Sequence, residues 1–193
     1  MQKAVKLFVF CACLVPFCYL FYLAWTNSLG PDPGEALARE SGEWTFRFLL
    51  ATMAITPIQQ FTGWRITNRY RRMVGLYSLF YACCHFLVYL MFLLGFRWLA
   101  LSEEIFERPY ITVGFSAFVI LLALGITSPK SMVRKLGKNW KRLHRFVYLA
   151  VVLAMFHMIW ILRSDFGEAL LYGVFAAALL GVRLIRYLRS KTG

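Results

Sequence analysis

The sequence is short of what keeps a protein in water. Only 16% of its 193 residues are charged and only nine are acidic, where a soluble domain averages about 25% charged. That shortage excludes an ordinary soluble domain. There are three histidines, and each lies within an apolar run, which argues against a solubilising role. The five cysteines, Cys11, Cys13, Cys18, Cys83 and Cys84, also lie within apolar runs, with no CxxC spacing. This pattern speaks against disulfides, a thiolate metal site and c-type haem attachment. Cys11 and Cys13, two apart, point to different faces of a helix, so all five read as small apolar packing residues. There is no Gly-rich phosphate loop, and no segment between apolar runs is long enough for a soluble nucleotide-binding or catalytic domain. The net charge of +13 does not imply nucleic acid, because the basic residues fall in short clusters between the apolar runs, as in cytoplasmic loops.

What is abundant is apolar length: 60% of residues are hydrophobic and 18% aromatic. A membrane-spanning helix needs about 20 apolar residues. Six segments meet or approach that, at about 7–25, 44–62, 73–96, 109–127, 143–162 and 168–188. The expectation is an all-α polytopic membrane bundle of six transmembrane helices, forming one domain over residues 1–193. Pro16 should kink the first span. That span begins like a signal peptide, but its long apolar run and the lack of an A-x-A-like site predict a retained helix. The second span is the most polar, with Arg47 near its start expected to snorkel, and Pro57, Gln59 and Gln60 near its end. Gly173, Ala176, Ala177, Ala178 and Gly181 should let the last span pack closely. Aromatic residues at span ends (Trp25, Trp44, Trp64, Trp98, Tyr110, Trp140, Trp160) fit interfacial belts.

Charge orients the bundle. Lys3 and Lys6, four arginines at 65–72, seven basic residues at 130–145 and four at 183–191 share one side with no acidic residue, and all nine Asp and Glu fall on the other. The positive-inside rule then places both termini in the cytoplasm. The basic 130–145 segment reads most simply as attraction to anionic membrane lipid.

Ionisable side chains within a span are costly and are functional candidates by default; a neutral histidine can also be a packing residue. His85 lies about twelve residues into the third span and His157 about fourteen into the fifth. Both spans run outward from the cytoplasm, so both side chains lie roughly 18–21 Å deep and can clamp one metal between two helices. With no nearby Cys or carboxylate, two imidazoles suggest bis-histidine haem b, since zinc normally takes four ligands. His144, at the start of the fifth span, lies ~20 Å below His157 and about 140° around an ideal helix from it. Its depth marks a second site near the cytoplasmic face; the angle means either that the helix is overwound or tilted, or that each histidine looks toward a different partner. Arg71 shares that depth, about 40° off the face of His85. It is either an ordinary cytoplasmic-side cation, or it holds a haem propionate or replaces a missing ligand.

The stretches RRMVGLYSLFYACCHFLVYL, ITSPKSM and NWKRLHRFVYLAVVLAMFH resemble the ferric-reductase-like transmembrane family, over essentially the whole chain. Within it the likeness is to the haem-binding membrane subunits of bacterial periplasmic methionine sulfoxide reductase systems. The larger relatives carry two histidines on each of two helices; here Arg71 stands where one of them would be. The resemblance implies a multi-pass inner-membrane protein binding one or two b haems through His85, His144 and His157, and also FMN. It implies electrons drawn from quinol and passed to a periplasmic molybdopterin-containing methionine sulfoxide reductase, which repairs oxidised methionine. A chain without a nicotinamide domain is expected to take electrons from a membrane donor or another protein. No quinone site stands out; Gln59, Gln60 and Trp64 are the polar residues at a helix end. The competing readings are a stand-alone transmembrane ferric or oxygen reductase, and a haem-free transporter or assembly factor that uses the histidines as a proton relay.

Overall fold

The structure is a computed structural model describing residues 2–63, 66–161 and 167–192. Trp64, Arg65, Leu162, Arg163 and Asp165, which enter the belt, charge and quinone expectations above, lie outside the described residues. The helices are α1 (Gln2–Trp25), α2 (Pro33–Thr62), α3 (Ile66–Val88) continued by a π-helical turn (Tyr89–Leu93), α4 (Trp98–Glu107), α5 (Pro109–Ile126), α6 (Lys130–Leu136), α7 (Lys138–His144), α8 (Val147–Ile161) and α9 (Gly167–Thr192). No strand occurs among the described residues.

Among the described residues, five stretches are long and apolar enough to cross a membrane: Lys3–Trp25, Tyr70–Leu93, Pro109–Ile126, Lys138–Ile161 and Gly167–Arg189. α2 is longer than any of them, at 30 residues, but more polar. It begins three turns before the expected span. Pro33 occupies its first turn and the Asp32 side chain accepts from the Glu35 amide at 2.9 Å, a paired start signal. It ends at Gly63, whose φ of 71° suits a residue without Cβ. The segments expected as outer and inner loops also contain helix. α4 is amphipathic with no buried residue, and α6 and α7 occupy the basic segment, separated by Gly137 with φ 50°.

α2 is the axis of the bundle. Phe46, Leu49, Leu50 and Met53 recur at helical spacing on one face and are buried among Ala82, Leu121, Ala150, Val151 and Ala176 of the surrounding helices. Of the small residues on α9, Ala176 is buried and Gly173 meets Met155, whereas Ala177 and Ala178 are exposed. The close-packing stripe is therefore narrower than the composition suggested. Arg47 does not snorkel freely. It is held by Glu43 at 2.7 Å and Tyr172 at 2.6 Å, and lies over the Trp44 ring.

In lipid, apolar burial does little to drive helices together, so packing and interhelical hydrogen bonds matter more. Here the bonds run from side-chain donors to main-chain carbonyls. The Tyr77 hydroxyl donates to Phe10 O at 2.9 Å. The Tyr81 hydroxyl is wedged into α1: it accepts from the Phe17 amide at 3.0 Å and donates to Cys13 O at 2.8 Å. It thereby bridges the Phe17 amide and the Cys13 carbonyl, an i and i−4 pair next to Pro16. Ser78 donates to Thr45 O at 3.1 Å. Pro57 lacks the amide that would serve Met53 O, and the Arg183 guanidinium of α9 donates to that carbonyl instead. Arg183→Met should therefore cost ~1–3 kcal/mol by leaving Met53 O unpaired. Adding Pro57→Ala, which restores the amide, should recover most of that loss. Unfolding of the single and double variants in detergent measures the coupling; additive effects would remove this account of Arg183.

Candidate functional site

His85 of α3 and His157 of α8 face each other. Their ring centroids are 6.2 Å apart and the ring planes meet at 81°. Each ring is seated on a different neighbouring helix in the same manner. His85 Nδ1 lies 2.8 Å from the Ala38 carbonyl oxygen of α2, and His157 Nδ1 lies 2.7 Å from the Tyr110 carbonyl oxygen of α5. One turn beyond each carbonyl is a glycine. A Cβ on Gly42 would come to 3.1 Å from His85 Nδ1, and one on Gly114 to 2.5 Å from His157 Nδ1. The separation between histidine and accepting residue is 47 in both cases.

A carbonyl only accepts, so Nδ1 carries the proton in both rings and Nε2 keeps a lone pair. An imidazole fixed by an Nδ1–H bond to a carbonyl is the arrangement that orients metal-bound histidine. Edge-to-face contact alone would also give 4.5–7 Å between centroids. The two carbonyl bonds are what set this pair apart, because they leave both outer nitrogens as donors to a third body. Two metal–imidazole bonds of ~2.0 Å and two ring radii of ~1.1 Å together span ~6.2 Å, the observed separation. Among the described residues no three His, Cys, Asp or Glu side chains converge, so these residues do not form the four-ligand cage zinc requires. Two axial imidazoles suit an iron whose other positions are filled by a macrocycle. Phe86 of α3 stacks with Phe118 of α5 at 4.9 Å, beside His85 in the chain.

His144 stands apart and is held differently. The expected single helix over 143–162 is tightened after His144: Arg145 and Phe146 bond to Arg142 and Leu143 three residues back. This local overwinding falls between the two histidines and changes the angle an ideal helix would give. His144 Nε2 lies 3.2 Å from Thr127 Oγ1. That hydroxyl already donates to Ala123 O at 2.7 Å, so His144 donates from Nε2. Trp140 stacks on the imidazole at 4.0 Å and bonds Thr127 O. Trp140, expected only as an interfacial aromatic, is therefore part of this clamp.

Arg71 is partly buried while Arg72 is exposed, and its positive charge acts on both His144 and Arg183. Gly75 meets Thr52 across the antiparallel α2–α3 pair. One turn further, the register brings Arg71 level with Thr56, whose buried hydroxyl oxygen has no partner among the described residues. Arg183 also lies over the Tyr148 ring at 5.6 Å. The region around His144 thus has one imidazole, two guanidinium groups and a hydroxyl without a partner among the described residues. That set favours an anionic group and supplies no second imidazole.

The sequence reading missed Gly42, Gly114, Thr127 and Arg183. A signal for the glycines was present: each stands the same number of residues before its histidine, 42 before 85 and 114 before 157. Gly42 was passed over because α2 was expected to begin only after it.

A family model described as "Ferric reductase like transmembrane component" matches residues 41–155. A relative from Polaromonas naphthalenivorans, "Protein-methionine-sulfoxide reductase heme-binding subunit MsrQ", is 41% identical over 187 residues, covering 95% of this chain and 85% of the relative. Proteins of the same name from Xanthomonas euvesicatoria and Xanthomonas axonopodis are each 42% identical over 194 residues, covering 97% of this chain and 89% of theirs. No solved structure matches the chain.

The hydrogen bonds fix the tautomers. Side-chain ¹⁵N NMR of haem-free protein should find His85 and His157 protonated at Nδ1 and His144 protonated at Nε2. A uniform Nε2–H pattern at all three would contradict the carbonyl seats.

Proposed function

The chain belongs to the ferric-reductase-like transmembrane family, and from that premise we propose that it is a haem b electron-transfer subunit of the bacterial inner membrane. In this reading it takes electrons from the quinol pool and passes them to a periplasmic molybdopterin-containing methionine sulfoxide reductase. Its relatives are named as heme-binding subunits of a protein-methionine-sulfoxide reductase. The observation that carries the reading is the His85–His157 pair, 6.2 Å apart with both Nδ1 atoms held by main-chain carbonyls. Haem, when bound, supplies reversible one-electron chemistry whose potential is set by its axial ligands and surroundings. The chain presents two neutral imidazoles to the iron and holds their orientation. His144 belongs to a second, inner site, where Arg71 and Arg183 are the cations for a carboxylate or phosphate of the bound group. FMN is a further cofactor in this reading.

The same reading makes α2 the sixth span, with both termini cytoplasmic and the whole chain one domain. At ~1.5 Å per residue, its 30 residues reach about 45 Å. Its position at the bundle axis supports this, because a helix sheltered by its neighbours can cross a membrane with more polar residues than a lipid-facing one. The His85–His157 pair then lies in the periplasmic half, toward the proposed acceptor.

A reduced-minus-oxidised spectrum of the purified protein, with haem quantified per chain, tests the proposal. A b-type absorption is expected; its absence would remove the haem reading. His85→Ala and His157→Ala should each abolish the signal of the outer haem. Two variants with a full haem complement would disprove the pairing. Quinol-driven reduction of methionine sulfoxide should require both this chain and the periplasmic reductase. Reduction of ferric chelate or oxygen without that partner would favour a stand-alone reductase instead.

A further inference from the structure

Glycine is among the least favourable helix residues, yet Gly42 and Gly114 stand inside α2 and α5 where the two imidazoles lie. Neither is at a turn, and the φ of neither lies in the left-handed region. What they provide is space. In each case the glycine is one turn beyond the carbonyl that accepts from Nδ1, so a Cβ there would press on the ring beside that bond. Other helical glycines differ in this respect. A Cβ on Gly125, also in α5, would meet the flexible Leu79 side chain, and one on Gly181 would meet nothing.

We propose that Gly42 and Gly114 are positioning residues for the haem ligands, each forming with the carbonyl one turn before it a seat that fixes an imidazole with Nε2 outward. The inference rests on the haem reading above and adds an order to it. The His157 seat has no slack, because the nearest ring atoms lie 2.5 and 2.6 Å from the Cβ position at Gly114. The His85 seat has a few tenths of an ångström more, at 3.1 and 3.2 Å. A methyl group at 114 must displace the ring and break its bond to Tyr110 O; one at 42 must only push His85.

The test compares Gly114→Ala, Gly42→Ala and Gly125→Ala in the full chain. Gly114→Ala should weaken haem binding ~10–100-fold, the range seen when the groups orienting a metal ligand are lost. Gly42→Ala should keep haem but change its low-spin electron paramagnetic resonance signature and midpoint potential. Gly125→Ala should retain the wild-type signature whatever it does to the melting temperature. The proposal is overturned if Gly114→Ala binds haem as wild type does, or if all three variants lose haem in proportion to lost stability. Side-chain ¹⁵N NMR of haem-free protein separates this from the haem reading. Gly114→Ala should abolish the Nδ1–H state of His157 and leave that of His85. If it does so in a chain that binds no haem, the seats stand and the haem reading falls; an unchanged His157 tautomer overturns the seats.

Discussion

The structure depends on one kind of contact: a side-chain donor from one helix bonded to a main-chain carbonyl of another. In water such a bond adds little, because the solvent offers the same service. Inside a membrane nothing else offers it, and a carbonyl has a second lone pair beyond its own helical partner. The chain uses this second capacity at Phe10, Thr45, Ala38 and Tyr110. At Cys13 a tyrosine hydroxyl is the outside donor, and at Met53 the outside donor takes over where Pro57 leaves the helix ladder without an amide. The same chemistry that ties the helices together also aims the two histidines, so assembly and site geometry share one cause.

Much of this was legible in the sequence, for identifiable reasons. The apolar runs and the shared level of His85 and His157 follow from the rise of a helix and the thickness of a bilayer. The structure brings those two rings together. Less legible was α2, because a helix enclosed by others is freed from the hydropathy that marks a lipid-facing span. Its first three turns, with Gly42 and the Ala38 carbonyl, read as loop. The rotational placement of His144 also escaped an ideal-helix calculation, since the turn at Arg145 and Phe146 is tightened. Arg71 could be placed by depth but not interpreted, because its meaning depends on Thr56 and on Arg183, more than a hundred residues later in the chain.

The two seats also divide the bundle. α2 with α3 holds one imidazole and α5 with α8 holds the other, and within these hairpins the helices are most closely associated. Fewer contacts join one hairpin to the other. A group bound by both imidazoles would therefore act as a cross-link, joining two hairpins that otherwise meet through side-chain packing. Its binding energy would appear as cohesion of the whole bundle.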